Sequence, residues 1–174
     1  MFFLHFISKF IRVLRAGATS GQIAGGFMLG FMIGLMPFMT LQGIALITIL
    51  FLLDVNLAAA TFAMFVSSFV AFLFDPIFHD LGFSLLTGNP ALRDTWTTLY
   101  NVPVAPLSRL NNTVVMGSFV AGIIVALPVY LAVSKGVISY RSGLEEKIKK
   151  WKIVRWVTGS KLASWYFKIR DLGE

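Results

Sequence analysis

The chain has 174 residues, of which 57% are hydrophobic and only 13% charged, and its mean hydropathy is +0.80. A soluble domain of this length carries charges on about a quarter of its residues. This composition argues against a soluble enzyme, and the lack of cysteine excludes disulfides and thiolate metal sites.

Charged residues are absent from three long runs, 16–53, 55–74 and 110–134. Each run is at least as long as the roughly 20 apolar residues that cross a bilayer as a helix. A soluble helical protein would interrupt such runs with a charged face. The sequence therefore predicts an all-α, polytopic membrane protein.

The net charge of +7 is concentrated at the two ends of the chain. Three basic residues precede residue 16, ten follow residue 134, and two lie between. This distribution follows the positive-inside rule and predicts that both termini are cytoplasmic. Basic tails beside a membrane bind anionic headgroups, so the expected partner is membrane phospholipid and not nucleic acid.

Residues 1–17 are predicted to form an N-terminal amphipathic helix. It is too short to span, and its polar side carries Lys9, Arg12 and Arg15. Two faces of this kind suit a helix that lies in the membrane interface. A packing helix within a protein bundle is the alternative.

The predicted membrane domain, 18–134, begins with a short helical hairpin that proline interrupts. Pro37 and the following Phe38 separate two predicted helices, 20–36 and 40–53, because proline removes a helical hydrogen bond and clashes with the preceding turn. Each helix is shorter than an ordinary span. The hairpin therefore either crosses twice in short, tightly packed segments or enters and returns on one side.

Polar residues of this region are expected to have structural roles. The amide of Gln42 would bond the backbone freed at Pro37, with substrate binding as the alternative. Asp54 and Asn56 form a polar turn at the cytoplasmic interface, and Asn56 is predicted to cap the next helix.

Glycines spaced by four residues allow helices to approach closely. Gly26, Gly30 and Gly34 form such a stripe on the first hairpin helix, and Gly122 belongs to a second stripe in the last span. The expected use of the first stripe is packing against the next helix. A partner or homo-oligomer face is the alternative.

The first full span is predicted at 57–74 and is expected to end at Asp75 and Pro76. Residues 75–111 then form a loop on the outer side, with one short interfacial helix. The final span is predicted at 112–134.

One group of polar side chains has the spacing of metal ligands. Asp75 and His79 would share a helix face, with Asp80 beside them. A catalytic metal takes three protein ligands, and the sequence offers no further His or Cys nearby. We therefore expect no metal, cofactor or catalytic residue in this protein.

Residues 135–174 are predicted to be a cytoplasmic tail that is both basic and aromatic. Tryptophan and tyrosine at headgroup depth anchor a segment to the membrane surface. The residues expected to bind that surface are Lys149, Lys150, Trp151 and Lys152.

Short segments along residues 20–88 occur in a recognisable order. They are Gln22-Ile23-Ala24, Gly30-Phe31-Met32-Ile33-Gly34, Pro37-Phe38, Gln42-Gly43 and Val55-Asn56. This order resembles domain-of-unknown-function family 2062, which consists of small bacterial inner-membrane proteins. The family often has Asn-Pro after the third segment, where this chain has Asp75-Pro76.

The resemblance implies a role as well as a location. One subfamily of this kind is encoded beside a large envelope protein similar to AsmA-like, bridge-forming lipid-transfer proteins. Membership would make the chain a non-enzymatic inner-membrane accessory subunit of a large periplasmic partner in phospholipid transport. The alternatives are a transporter or lipid flippase acting alone, because transporters use broken helices at their sites, and a membrane-structuring protein acting through its tails.

Overall fold

The computed structural model describes residues 17–88 and 90–144, and within them the chain is helical and has no β-strand. The α-helices are α1 (Ser20–Leu35), α2 (Leu41–Leu52), α3 (Leu57–Thr87), α4 (Arg93–Tyr100) and α5 (Thr113–Ser139). Short 3₁₀ helices flank α4 at Pro90–Leu92 and Ala105–Ser108, and a π-helical turn, Tyr140–Leu144, follows α5. The predicted all-α class is confirmed for the described residues.

The chain divides into two compact units, Met1–Lys135 and Gly136–Glu174. The packing described below is that of the first unit. In the described part of the second unit, the Ser142 hydroxyl donates to the carbonyl of Ser139. Gly143 there has φ 141°, a conformation that glycine adopts without steric cost.

A capping box fixes the start of α1. The hydroxyl of Thr19 accepts a hydrogen bond from the Gln22 backbone N–H at 3.2 Å, and Gln22 Oε1 accepts from the Thr19 N–H at 2.8 Å. These bonds satisfy donors that have no partner within the helix. At 16 residues, α1 is about 24 Å long, which is less than the roughly 30 Å hydrocarbon core of a bilayer.

Three glycines bring α1 into backbone contact with α3. A Cβ atom on any of them would overlap main-chain atoms of the chain segment around α3. The pairs are Gly26 with Asn56, Gly30 with Ala60, and Gly34 with Met64. Because the residue numbers of the pairs increase together along both helices, α1 and α3 run parallel. Helix α2 connects them in sequence. The stripe therefore packs against α3. The prediction that it packs against the next helix, α2, is wrong.

The break between α1 and α2 is closed by a threonine. Thr40 is 1% exposed; its hydroxyl donates to the Pro37 carbonyl at 2.8 Å and accepts from the Gly43 N–H at 3.2 Å. Thr40 thus caps α2 and satisfies the backbone of the break with one side chain. The prediction that Gln42 bonds the backbone at Pro37 is wrong, because Thr40 occupies that position.

Helix α3 has 31 residues and continues through Pro76 to Thr87. The prediction that it ends at Asp75 and Pro76 is wrong. Proline costs the helix one hydrogen bond, but packing beyond the proline compensates for that loss. Gly82, six residues past Pro76, lies so close to α5 that an added Cβ would overlap the carbonyl of Thr113.

The contact between α3 and α5 is reciprocal. A Cβ on Gly117 of α5 would overlap the carbonyl of Phe78 on α3, just as one on Gly82 would overlap α5. Phe78 is buried, with 6% of its surface exposed. Two glycines thus join α5 to the part of α3 that the sequence assigned to a loop.

The connection between α3 and α5 is shorter than the predicted loop of residues 75–111, and much of its described part is helical. Its described residues include α4 and both 3₁₀ helices. Near its end, Arg109 has a left-handed backbone conformation, with φ 53°. Helix α5 then begins where Asn112 Oδ1 accepts from the Val115 N–H at 3.1 Å, in the manner of an N-cap.

Two described helices, α3 and the one beginning at Thr113, are long and apolar enough to cross a membrane. Large hydrophobic side chains on both are exposed to the surroundings of the protein, among them Phe72 at 83% and Leu127 at 64%. Helices α1 and α2 are apolar but shorter.

Candidate functional site

The predicted polar turn joins the starts of α1 and α3. Gln22 Nε2 donates to Asp54 Oδ2 at 2.7 Å, and the Asn56 N–H donates to the carbonyl of Gln22 at 2.9 Å. Asn56 Oδ1 also accepts from the Ala59 N–H at 2.8 Å and is the N-cap of α3. The turn is a structural clamp, and Gln22 is a member of it that the sequence reasoning did not assign.

The two side chains predicted to matter at the hairpin break, Phe38 and Gln42, have different surroundings. Phe38 is exposed, whereas Gln42 is partly buried in the first turn of α2. Gln42 Nε2 donates to the carbonyl of Ser108 at 2.9 Å, so the α3–α5 connection is tied to the break. Gln42 Oε1 is buried and has no hydrogen-bond partner in the described part of the protein.

Gly122 is placed differently from the other predicted packing glycines. The nearest atoms to a Cβ there would be side-chain atoms of Leu35, Met32 and Met36 at 3.9 Å, which is ordinary van der Waals contact. Gly122 therefore lies beside the end of α1 without the backbone contact that the α1 stripe makes.

The group with metal-ligand spacing is not assembled as a metal site. His79 Nδ1 lies 2.7 Å from Thr113 Oγ1, and this hydrogen bond joins α3 to the start of α5. Across residues 17–88 and 90–144, no three His, Cys, Asp or Glu side chains come together as metal ligands would.

A cavity of about 280 Å³ lies between the α3–α5 connection and the facing ends of those two helices. Its walls are largely apolar, and its lining includes Leu86, Trp96, Tyr100, Ser108, Leu110 and Met116. The indole Nε1 of Trp96 is buried and has no acceptor among the described residues. Sequence reasoning missed this cavity; its one signal was the pair Trp96 and Tyr100, four residues apart on a helix.

The backbone carbonyl of Ser108 links the cavity to the hairpin break. Ser108 lines the cavity, is buried, and accepts the hydrogen bond from Gln42. Its hydroxyl donates to the Ala105 carbonyl at 2.6 Å and accepts from the Leu110 N–H at 3.3 Å. The cavity wall is thus held by α2 as well as by its own local bonds.

The residues expected to bind the membrane surface lie outside the described residues. They are Lys9, Arg12, Arg15, Lys149, Lys150, Trp151 and Lys152. The predicted N-terminal amphipathic helix and most of the predicted tail lie there too.

Comparison with known proteins places the chain among bacterial sequences. Residues 5–143 match domain of unknown function 2062, described as "Uncharacterized protein conserved in bacteria". The chain is similar to an "Uncharacterized protein" of Treponema pallidum (strain Nichols), with 29% identity over 137 residues, covering 79% of this chain and 84% of the relative. No solved structure matches the chain significantly.

Proposed function

Since the chain belongs to the bacterial family of domain of unknown function 2062, we propose that it is an accessory subunit of the bacterial cytoplasmic membrane. In this proposal it is not an enzyme. It binds membrane phospholipid and anchors a large periplasmic partner, similar to AsmA-like lipid-transfer proteins, in envelope phospholipid transport. The observation that carries the proposal is the bulky apolar surface that α3 leaves exposed along its length.

That surface is a stripe of aromatic and aliphatic side chains. Phe65, Phe69, Phe72 and Leu73 are 44%, 65%, 83% and 74% exposed. Their spacing of four, seven and eight residues puts them on one side of α3. Contiguous apolar surface of this kind mediates contact with lipid or with another protein, which is what a membrane partner of a larger protein needs.

The glycine stripe of α1 is used for packing inside the protein and is not a second partner surface. Its three glycines are already in contact with the backbone around α3. A partner helix is therefore expected to pack on the exposed stripe of α3, and not on Gly26, Gly30 or Gly34.

The hairpin formed by α1 and α2 supports a re-entrant arrangement. The end of α1 lies beside Ser67, only ten residues along α3. Ser67 is fully buried, and the connection covers the break through Ser108. Backbone inside a bilayer is tolerated where protein shields it. We propose that α3 and α5 span the membrane, that the hairpin enters and returns, and that both termini are cytoplasmic.

The test is a pull-down of the tagged full-length protein from its native membranes in mild detergent, with mass spectrometry of what is retained. We expect a stoichiometric large envelope protein. The variant Phe69→Ala/Phe72→Ala should lose it, whereas Ile123→Ala/Ile124→Ala, on exposed positions of α5, should keep it. Recovery of the protein alone would contradict the proposal.

A stand-alone transporter or lipid flippase is the second candidate. It is favoured by the buried Gln42 Oε1, which has no partner among the described residues and lies just past a helix break. Transporters place substrate sites at such breaks. Substrate flux in proteoliposomes that contain only this protein would support it over the accessory role.

A further inference from the structure

Large apolar side chains are exposed on both sides of the polar turn between α2 and α3. Phe51 and Leu52 are the last two residues of α2, and Leu57 is the first residue of α3. Their exposed fractions are 71%, 78% and 48%. These three residues form the α2–α3 patch.

An exposed carboxylate lies in the turn that joins the two parts of this patch. Asp54 is exposed, and its Oδ2 accepts a hydrogen bond from Gln22 Nε2 at 2.7 Å. A charged side chain is costly inside hydrocarbon. If α3 crosses a membrane, the patch therefore lies at the edge of the hydrocarbon and not in its core. The surface that complements the patch is apolar and carries a positive charge at its border.

The part of the chain that precedes Gly17 enters the described structure beside the same turn. The Thr19 N–H donates to Gln22 Oε1 at 2.8 Å, and the amide nitrogen of the same Gln22 side chain bonds Asp54. Gly17 is thus two residues away from a residue that is tied to the turn. A Cβ added at Gly17 would meet no atom within 4 Å, so the chain has room to turn back there.

The sequence of residues 2–15 has the chemistry that the patch requires. This segment lies outside the described residues, but its apolar residues recur at helical spacing. They are Phe3, Phe6, Ile7, Phe10, Ile11 and Leu14. Arg15 follows Ile11 by four residues, so at helical spacing it borders the apolar face. It is also the basic residue of the segment that is closest in sequence to Gly17.

We propose that residues 2–15 fold back onto the α2–α3 patch. The apolar face of the segment packs on the patch through Phe10, Ile11 and Leu14, and the Arg15 guanidinium pairs with the carboxylate of Asp54. The segment lies against protein, whereas an isolated interfacial helix would have its apolar face in the bilayer. The inference depends neither on the partner in the proposed function nor on the side of the membrane that this end faces.

Disulfide cross-linking tests the contact, because the chain has no cysteine of its own. Full-length Leu14→Cys/Leu52→Cys, at one protein per lipid nanodisc, is oxidised with copper phenanthroline, and the linked peptides are quantified by mass spectrometry. We expect the disulfide to form about tenfold faster than in two controls, because docking raises the effective concentration of the pair.

The two controls change one cysteine each. Ser8→Cys/Leu52→Cys moves the first cysteine to the polar side of the segment. Leu14→Cys/Phe72→Cys moves the second to an exposed position farther along α3. Equal rates in the three proteins would overturn the proposal.

A spin label distinguishes a protein occupant of the patch from a lipid one. In the docked protein, a nitroxide on Leu52→Cys should collide rarely with both dissolved oxygen and a water-soluble nickel chelate. Deletion of residues 2–15 should remove this protection, and circular dichroism checks that the shortened protein keeps its helices. Frequent collision with oxygen in the full-length protein would show that lipid covers the patch and would overturn the proposal. Frequent collision with nickel would show that water covers it, with the same consequence.

Charge reversal tests the pairing of Arg15 with Asp54 in the Leu14→Cys/Leu52→Cys protein. Arg15→Glu should slow disulfide formation about threefold, as expected for the loss of one exposed ion pair. Lys9→Glu, on the polar side of the segment and away from the border of the apolar face, should leave the rate unchanged. Equal slowing by both variants, or by neither, would overturn the pairing.

Discussion

The side-chain amide of Gln42 donates a hydrogen bond to the backbone carbonyl of Ser108, 66 residues later in the chain, at 2.9 Å. This bond joins the first turn of α2 to the last residue of a 3₁₀ helix in the α3–α5 connection. It brings the connection over the helix break and fixes one wall of the cavity.

Replacing Gln42 by methionine should loosen the connection locally. Ser108 loses its donor, so amide hydrogen exchange across residues 105–112 should rise about fivefold, as expected for one hydrogen bond. The melting temperature should change little, because the variant also removes the buried oxygen that has no partner. Thr48→Val is the control, since Thr48 bonds only its own helix. Unchanged exchange in Gln42→Met would show that the bond does not hold the connection.

Adding one methyl group at Gly30 should destabilise the protein. The new Cβ would overlap the Ala60 carbonyl, and such overpacking costs about 1–3 kcal/mol. Gly30→Leu should be worse. Gly122→Ala, where the nearest atoms are at 3.9 Å, should match or slightly exceed the parent because alanine favours helix. Thermal unfolding in detergent compares them, and equal midpoints for Gly30→Ala and Gly122→Ala would refute the close contact.

Charge placed at Gln22 should report on its bond to Asp54. Gln22→Glu keeps an oxygen for the Thr19 N–H but sets two carboxylates against each other where a 2.7 Å bond now lies. We expect a loss of about 0.5–1 kcal/mol, modest because the site is exposed. Asp54→Asn in the same chain should restore the stability. Chemical unfolding measures both, and a double variant no more stable than Gln22→Glu would contradict the contact.

The extension of α3 beyond Pro76 can be tested through His79 and Thr113. Their hydrogen bond joins this part of α3 to α5. A double-mutant cycle with His79→Ala and Thr113→Val should give a coupling energy of about 0.5–1.5 kcal/mol. A coupling indistinguishable from zero would mean that the helix end is not held there.

The proposed topology predicts which exposed residues face the periplasm. The chain has no cysteine, so single cysteines can be introduced without a background. A membrane-impermeant maleimide should label Val102→Cys in intact cells with a permeabilised outer membrane. It should label Leu53→Cys, exposed in the turn before α3, only after lysis. The reverse pattern would invert the topology.

The sequence predicted the features that depend on neighbours along the chain. Asn56 caps the helix that follows it, and the helix break falls at Pro37, where fixed φ and a missing N–H end α1. Asp75 and Pro76 misled the same reasoning, because the local cost of proline is outweighed by packing of Gly82 on α5. That packing depends on Thr113, which lies 31 positions later in the chain.

The candidate site was harder to predict from the sequence, because it also depends on contacts between distant parts of the chain. Gln42 was recognised as a residue that needs a partner, but Ser108 could not be chosen from many backbone carbonyls without the fold. The cavity depends on Leu86, Trp96 and Met116 meeting in space, and none of them belongs to a motif. Spacing in sequence predicts the face of a helix and does not predict which distant segment covers it.

The glycine contacts of α1 also impose an order on how the protein is made. Gly26, Gly30 and Gly34 emerge from the ribosome before the segment from Asn56 to Ser67 against which they pack. At about 24 Å and 18 Å, the two hairpin helices are also poor candidates for insertion on their own. The hairpin therefore reaches its final packing only after α3 has been synthesised. A truncation before Ser67 would leave α1 without the complete surface against which it packs.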